Sequence, residues 1–115
     1  LEIVQSVDLI SAIVNDPYEL SRISLLHAIS DLIASAATPY STEAIFILPP
    51  AIEKIQSRVI SELLEGIQST LADHKMKLTG GHTIEGKELQ VGFAVTGFRN
   101  HNFKFNLKKN FCDII

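Results

Sequence analysis

The sequence predicts an α+β domain in the order β-α-β-α-β-β, with two helices on one face of a mostly antiparallel sheet. Three observations predict it. Ile52, Ile55, Val59, Leu63, Ile67 and Leu71 form an apolar stripe at helical spacing. Leu89, Val91, Phe93 and Val95 alternate with Gln90, Gly92, Ala94 and Thr96, as in a strand. Punctuators at Asp16-Pro17, Pro49-Pro50 and Gly80-Gly81 separate the apolar runs.

The first strand spans Leu1–Ser11. Its even face carries Val4, Ser6, Asp8 and Ile10, and its odd face Ile3, Gln5, Val7 and Leu9. Neither face is purely apolar, so β-branched content and the following turn carry the assignment. Asn15-Asp16-Pro17 is that turn. Asp16 can accept from the first free N–H groups, and Pro17 has the φ of a first helical position.

The first helix is predicted over Tyr18–Ala37. Leu25, Ile29, Leu32, Ile33 and Ala36 should face the sheet, and Ser24, His27, Asp31 and Ser35 form a polar stripe. Pro39 ends it, because a residue before proline avoids the α region. Ala44–Leu48 is a short continuous apolar run, the mark of a strand covered on both faces.

Pro49-Pro50 opens the second helix. Gly66 costs it roughly 1 kcal/mol against Ala, which burial of the stripe outweighs. His74 and Lys75 suit the negative end of its dipole. Lys75–Thr79 is the third strand, closed by a Gly80-Gly81-His82 turn, and Leu89–Phe98 the fourth. The fourth strand's small-residue face leaves room for another backbone or sheet. An apolar sheet face without a helix predicts oligomerisation through that face.

Length and composition narrow the function. The 115 residues fit one domain, and 46% hydrophobic with 20% charged residues excludes wholesale disorder. A net charge of −3 does not suit a nucleic-acid partner. The single Cys112 forms no internal disulfide or cysteine-rich zinc site, and beside Ile114 and Ile115 it reads as apolar filler. No apolar run is long enough for a membrane helix. The opening Leu-Glu-Ile-Val has no signal-peptide n-region and no starting Met, which predicts a piece of a longer, cytoplasmic protein. Residues 1–98 carry a net charge of −6 and residues 99–115 a net of +3. The break predicts a domain over 1–98, then a linker and the start of a missing C-terminal domain over 99–115.

Three constellations could carry chemistry, each beside a plain structural reading. Asp8 is a carboxylate at the end of a strand, either functional or serving only solubility. His27 and Asp31 stand four residues apart, either as an exposed ion pair or with the Asp31 carboxylate aimed off the helix at a metal or phosphate. Thr79-Gly80-Gly81-His82-Thr83 is either an ordinary turn or a place where backbone N–H groups approach an anion. Signatures of P-loops, dinucleotide sites, serine hydrolases and HExxH metalloproteases are missing.

Four blocks, read together, resemble a known family. They are Ser6–Ile10 with Ile13–Tyr18, His27-Ala28-Ile29-Ser30-Asp31-Leu32-Ile33-Ala34, Ala37-Thr38-Pro39, and Gly80-Gly81-His82-Thr83 followed by Gly92–Gly97. In order and spacing they are similar to the N-terminal domain of selenophosphate synthetase (selenide, water dikinase). That enzyme belongs to the superfamily of aminoimidazole ribonucleotide synthetase, thiamine-monophosphate kinase and the hydrogenase maturation factor HypE.

The resemblance, running from about Val4 to Gly97, implies ATP and Mg²⁺ as ligands. It implies a dimer in which two sheets pair into a barrel, with ATP near that interface. It assigns Asp8 and Asp31 to Mg²⁺–phosphate binding, and Gly80, Gly81 and His82 to the nucleotide. His27 stands beside the phosphates where the family has Asn; Ser21 and Ala36 stand where it has Gly. The family's Gly-rich segment with a reactive Cys or selenocysteine and a Lys has no counterpart in this chain, so the fragment alone is expected to be inactive. Some relatives carry such a domain behind a flavin-dependent oxidoreductase. The alternative expectation is therefore a non-catalytic dimerisation or docking module of a fused oxidoreductase.

Overall fold

The computed structural model describes residues 1–12 and 14–100. The expectations for Cys112 and for the linker beyond Asn100 lie outside the described residues. The elements are β1 (Glu2–Ser11), α1 (Pro17–Ala34), β2 (Thr38–Leu48), α2 (Glu53–His74), β3 (Lys77–Glu85) and β4 (Gln90–Arg99). This is the predicted α+β order. The sheet runs β1-β4-β2-β3. β4 is antiparallel to both β1 and β2, while β2 and β3 are parallel, so the sheet is mixed. The parallel pair follows from α2, a crossover that returns the chain to the same end of the sheet.

α1 begins as its sequence dictates. Asp16 accepts a hydrogen bond from the Tyr18 N–H at 2.9 Å, and Pro17 opens the first turn. Its end differs from expectation. The helix stops at Ala34, and Ala36 takes the left-handed conformation at φ 60°. The Ala36 N–H donates to the Ile33 carbonyl and the Ala37 N–H to that of Leu32. Those two bonds are a Schellman closure, a motif that normally uses glycine. Pro39 therefore lies inside β2, which begins at Thr38 rather than at Ala44. Its missing N–H falls at an irregularity, where the β2–β4 register slips between Pro39 and Ser41.

The core lies between the sheet and the helices. Leu20, Leu25, Ala28, Ile29 and Leu32 of α1 meet Phe93 and Val95 of β4 and Leu63 and Ile67 of α2 in one buried cluster. α1 is gripped by the sheet on one side and α2 on the other, so Ser21 and Ser24 are buried too. Each satisfies its hydroxyl on the helix itself, Ser21 on the Tyr18 carbonyl and Ser24 on that of Leu20. Ile33, expected to face the sheet, is exposed, and Ala36 is outside the helix. On α2 the stripe is buried from Leu63 onward, while Ile52 and Ile55 remain exposed beyond the reach of α1. Gly66 marks the helix crossing. A Cβ there would lie 2.1 Å from Ser21 Oγ and 2.3 Å from the Tyr18 carbonyl oxygen.

The opposite sheet face carries no helix. Ile3, Val7 and Leu9 of β1 are exposed on it, and opposite them in register stand Phe98, Ala94 and Gly92 of β4. Tyr40 stacks edge-on against Phe98 with ring centroids 5.3 Å apart. No helix of the described residues is long and apolar enough to cross a membrane.

Candidate metal centre

Asp8 occupies an even position of β1, and strand alternation turns it toward the helical layer. α1 passes over β1 at its middle turns. His27 Nε2 comes to 2.9 Å from Asp8 Oδ2. Asp31 follows one helical turn later on the same side of α1. Ligand atoms of Asp8, His27 and Asp31 all lie within 4.8 Å of one another. The sequence paired His27 with Asp31 along the helix; the fold gives His27 its ion-pair contact with Asp8 instead. The Leu9 N–H donates to Asp8 Oδ1 at 2.9 Å and fixes that carboxylate, leaving Oδ2 toward the helix. Asp8 is half-buried, while His27 and Asp31 are exposed, so other ligands can reach the cluster.

The donor chemistry bears first on Mg²⁺. Two convergent carboxylates with open approach fit an ion that takes one or two carboxylates and fills its octahedron with phosphate and water oxygens. The imidazole is a nitrogen donor that such an all-oxygen shell does not use.

Gly80, Gly81 and His82 are placed differently from expectation. They form no turn. All three lie within β3, hydrogen-bonded in parallel to β2 opposite Glu43, Ala44 and Ile45. No glycine of the described residues has a positive φ. What these two glycines contribute is the absence of a side chain. The register of β3 shifts just before them, where Thr79 Oγ1 donates to the Thr42 carbonyl. β3 is an edge strand with every residue exposed, because α1 and α2 leave it uncovered. Gly80, Gly81 and His82 join Phe46, Ile60 and Leu64 around an open groove of about 440 Å³.

β1 and β3 are the two edges of the sheet. Three strand spacings, about 14 Å, separate them. Within one chain the fold therefore brings Asp8, His27 and Asp31 together but keeps Gly80–His82 apart from them. One ion pair had no signal in the sequence: Arg99 grips Glu2 Oε2 through Nε and Nη2 and donates from Nη1 to the Ser35 carbonyl. It ties the end of β4 to the start of β1 and to the end of α1.

Residues 1–98 match the family described as AIR synthase related protein, N-terminal domain. The chain belongs to this family. A selenide, water dikinase of Nitratidesulfovibrio vulgaris (strain Miyazaki F) is 35% identical over 95 residues, 83% of this chain and 27% of that protein. The selenide, water dikinase of Pseudomonas straminea is 37% identical over 98 residues, 85% of this chain and 27% of the relative. The AIR synthase related domain thus spans little more than a quarter of these relatives' length.

Thiamine monophosphate kinase from Aquifex aeolicus superposes with a TM-score of 0.73 at 16% identity, covering 83% of this chain and 33% of that one. A ThiL structure complexed with AMPPCP and TMP gives 0.74 at 16% identity over 83% of this chain and 31% of that one. At such identity the structural likeness shows the fold of the AIR synthase related domain alone.

Proposed function

We propose that this chain is the ATP- and Mg²⁺-binding half of a phosphotransferase resembling selenophosphate synthetase. The reaction converts selenide, ATP and water to selenophosphate, AMP and phosphate. The observation that carries the reading is the convergence of Asp8 and Asp31, from a strand and a helix, within 4.8 Å. Relatives named selenide, water dikinase support the reaction class, and the AMPPCP complex of a neighbour supports ATP as the nucleotide.

In this reading Asp8 and Asp31 hold the cation against the nucleotide phosphates. Bound there, Mg²⁺ supplies charge neutralisation, the main requirement of phosphoryl transfer. The Leu9 N–H keeps the Asp8 carboxylate aimed at the ion. His27, beside the phosphates, lies against Asp8. Gly80 and Gly81 let the nucleotide approach the β3 backbone without a Cβ in the way, and His82 donates from the same edge.

The nucleotide site is completed by a homodimer. Two copies paired through the bare sheet faces, with the two-fold axis along the strands, set the β3 edge of one beside the β1 edge of the other. That arrangement sets Gly80–His82 along the same edge as the partner copy's β1, whose helical side carries the acidic cluster. Residues 1–98 form the domain, and residues 99–115 lead into a C-terminal domain of the parent protein. The parent works in the cytoplasm, where ATP is available.

The test uses the full-length parent. Asp31→Asn abolishes Mg²⁺-dependent ATP turnover; unchanged turnover in that variant removes Asp31 from the site. Calorimetry of the parent with Mg²⁺–ATP gives binding heat. No heat at millimolar nucleotide favours the alternative, a dimerisation or docking module of a fused oxidoreductase, for which the replacement of Asn by His27 is the motivating feature.

A further inference from the structure

We infer that His27 converts this centre into a mixed nitrogen–oxygen site that selects a borderline first-row ion, Zn²⁺, over Mg²⁺. The inference rests on the divalent-cation reading above and concerns which ion that site takes. Among the described residues, Asp8, His27 and Asp31 are the one group of three potential ligands held this close. His27 Nε2 and Asp8 Oδ2 are 2.9 Å apart. Two ligand atoms, each about 2.0–2.2 Å from one ion, stand about 3 Å apart when they occupy neighbouring corners of its shell. The imidazole and carboxylate already have that separation. Asp31, no more than 4.8 Å from both, offers the third ligand atom.

The chemistry of the donors sets the preference. Mg²⁺ demands oxygen ligands in a near-ideal octahedron and gives up water reluctantly. Imidazole suits zinc and the later first-row ions, and affinity at nitrogen–oxygen sites rises through the Irving–Williams series. Asn at this position would offer only a carbonyl oxygen, a ligand that Mg²⁺ accepts. His27 presents a nitrogen lone pair to the ion once the Nε2 proton leaves or moves to Nδ1. The Leu9 N–H on Asp8 Oδ1 leaves Oδ2 as the bridging donor. The exposed sides of His27 and Asp31 leave the remaining positions to water or phosphate oxygens.

The 115-residue chain is titrated calorimetrically with zinc, copper(II) and magnesium chloride without nucleotide. The copper-loaded chain is also read by pulsed electron paramagnetic resonance for ¹⁴N coupling. Zn²⁺ binds about tenfold or more tighter than Mg²⁺, and the Cu²⁺ signal carries an imidazole nitrogen. His27→Asn loses that coupling and most of the preference while Mg²⁺ affinity is unchanged. His74→Asn, at the end of α2, changes neither.

Mg²⁺ binding as tight as Zn²⁺ overturns the inference, as does a preference or ¹⁴N coupling that survives His27→Asn. Both results leave the Mg²⁺–ATP reading standing. A chain that binds none of the three ions, with or without ATP, overturns the cation reading and the inference together. Circular dichroism of His27→Asn confirms that a lost preference belongs to the imidazole and not to unfolding.

Discussion

His27 on α1 and Asp8 on β1 touch at 2.9 Å, although nineteen positions separate them in the chain. The contact exists because α1 returns across the strand that precedes it. The pair is largely open to solvent, His27 with 57% of its side chain exposed and Asp8 with 32%. An exposed ion pair contributes about 0–1 kcal/mol. Replacing His27 by Asn is therefore expected to lower stability by less than about 1 kcal/mol, measured as the shift of the urea midpoint at constant m. A larger loss would give the imidazole a structural role in joining helix to sheet.

Gly66→Ala is expected to destabilise the domain, against the order of helix propensity. Propensity favours Ala by about 1 kcal/mol. The added methyl, however, meets the Tyr18 carbonyl oxygen at 2.3 Å, and backbone cannot swing aside as a side chain can. Overpacking of this kind costs about 1–3 kcal/mol, enough to reverse the sign. Chemical denaturation of the variant decides it, and a gain in stability would show that the two helices separate easily.

Ala36→Gly is expected to stabilise by about 1 kcal/mol, the cost of a left-handed conformation for a residue with a Cβ. Ala36 sits at φ 60° in the closure of α1, where the two carbonyls of the last turn are already satisfied. The substitution changes no contact of the core, so the thermal midpoint should rise without loss of the near-ultraviolet signal.

Val7→Glu is expected to convert the proposed dimer to a monomer while leaving the fold intact. Val7 is 70% exposed at the centre of the bare face of β1, so a charge costs the isolated chain little. Across a paired apolar face the same charge loses its water without gaining a partner. Sedimentation of both proteins at tens of micromolar, a range where interfaces of standard size still dissociate, separates the outcomes. A wild-type monomer there refutes pairing through this face, as does a Val7→Glu chain that remains dimeric.

Much of the fold was legible in the residues. Asp16-Pro17 marked the start of α1, the alternation at Leu89–Phe98 marked β4, and the stripe through Leu63, Ile67 and Leu71 marked the buried side of α2. These signals are local. Each depends on a cap or a period within a few turns of chain. The misplaced boundaries share one cause. Pro39 and Gly80-Gly81 were read as breakers, but the sheet accommodates Pro39 at a register slip and the glycines on an uncovered edge. A breaker disrupts only where its missing N–H or side chain is needed, and that depends on the neighbouring strand.

The candidate centre divides in the same way. The sequence alone determined the domain class, the family blocks and the candidate residues Asp8, His27 and Asp31. Tertiary structure alone decided that His27 meets Asp8, that Asp8, His27 and Asp31 share one space, and that Gly80–His82 lie on the far edge of the sheet. The reason is physical: side-chain chemistry and short-range periodicity are written residue by residue, whereas the distance between a strand and a helix is set by how their buried faces pack.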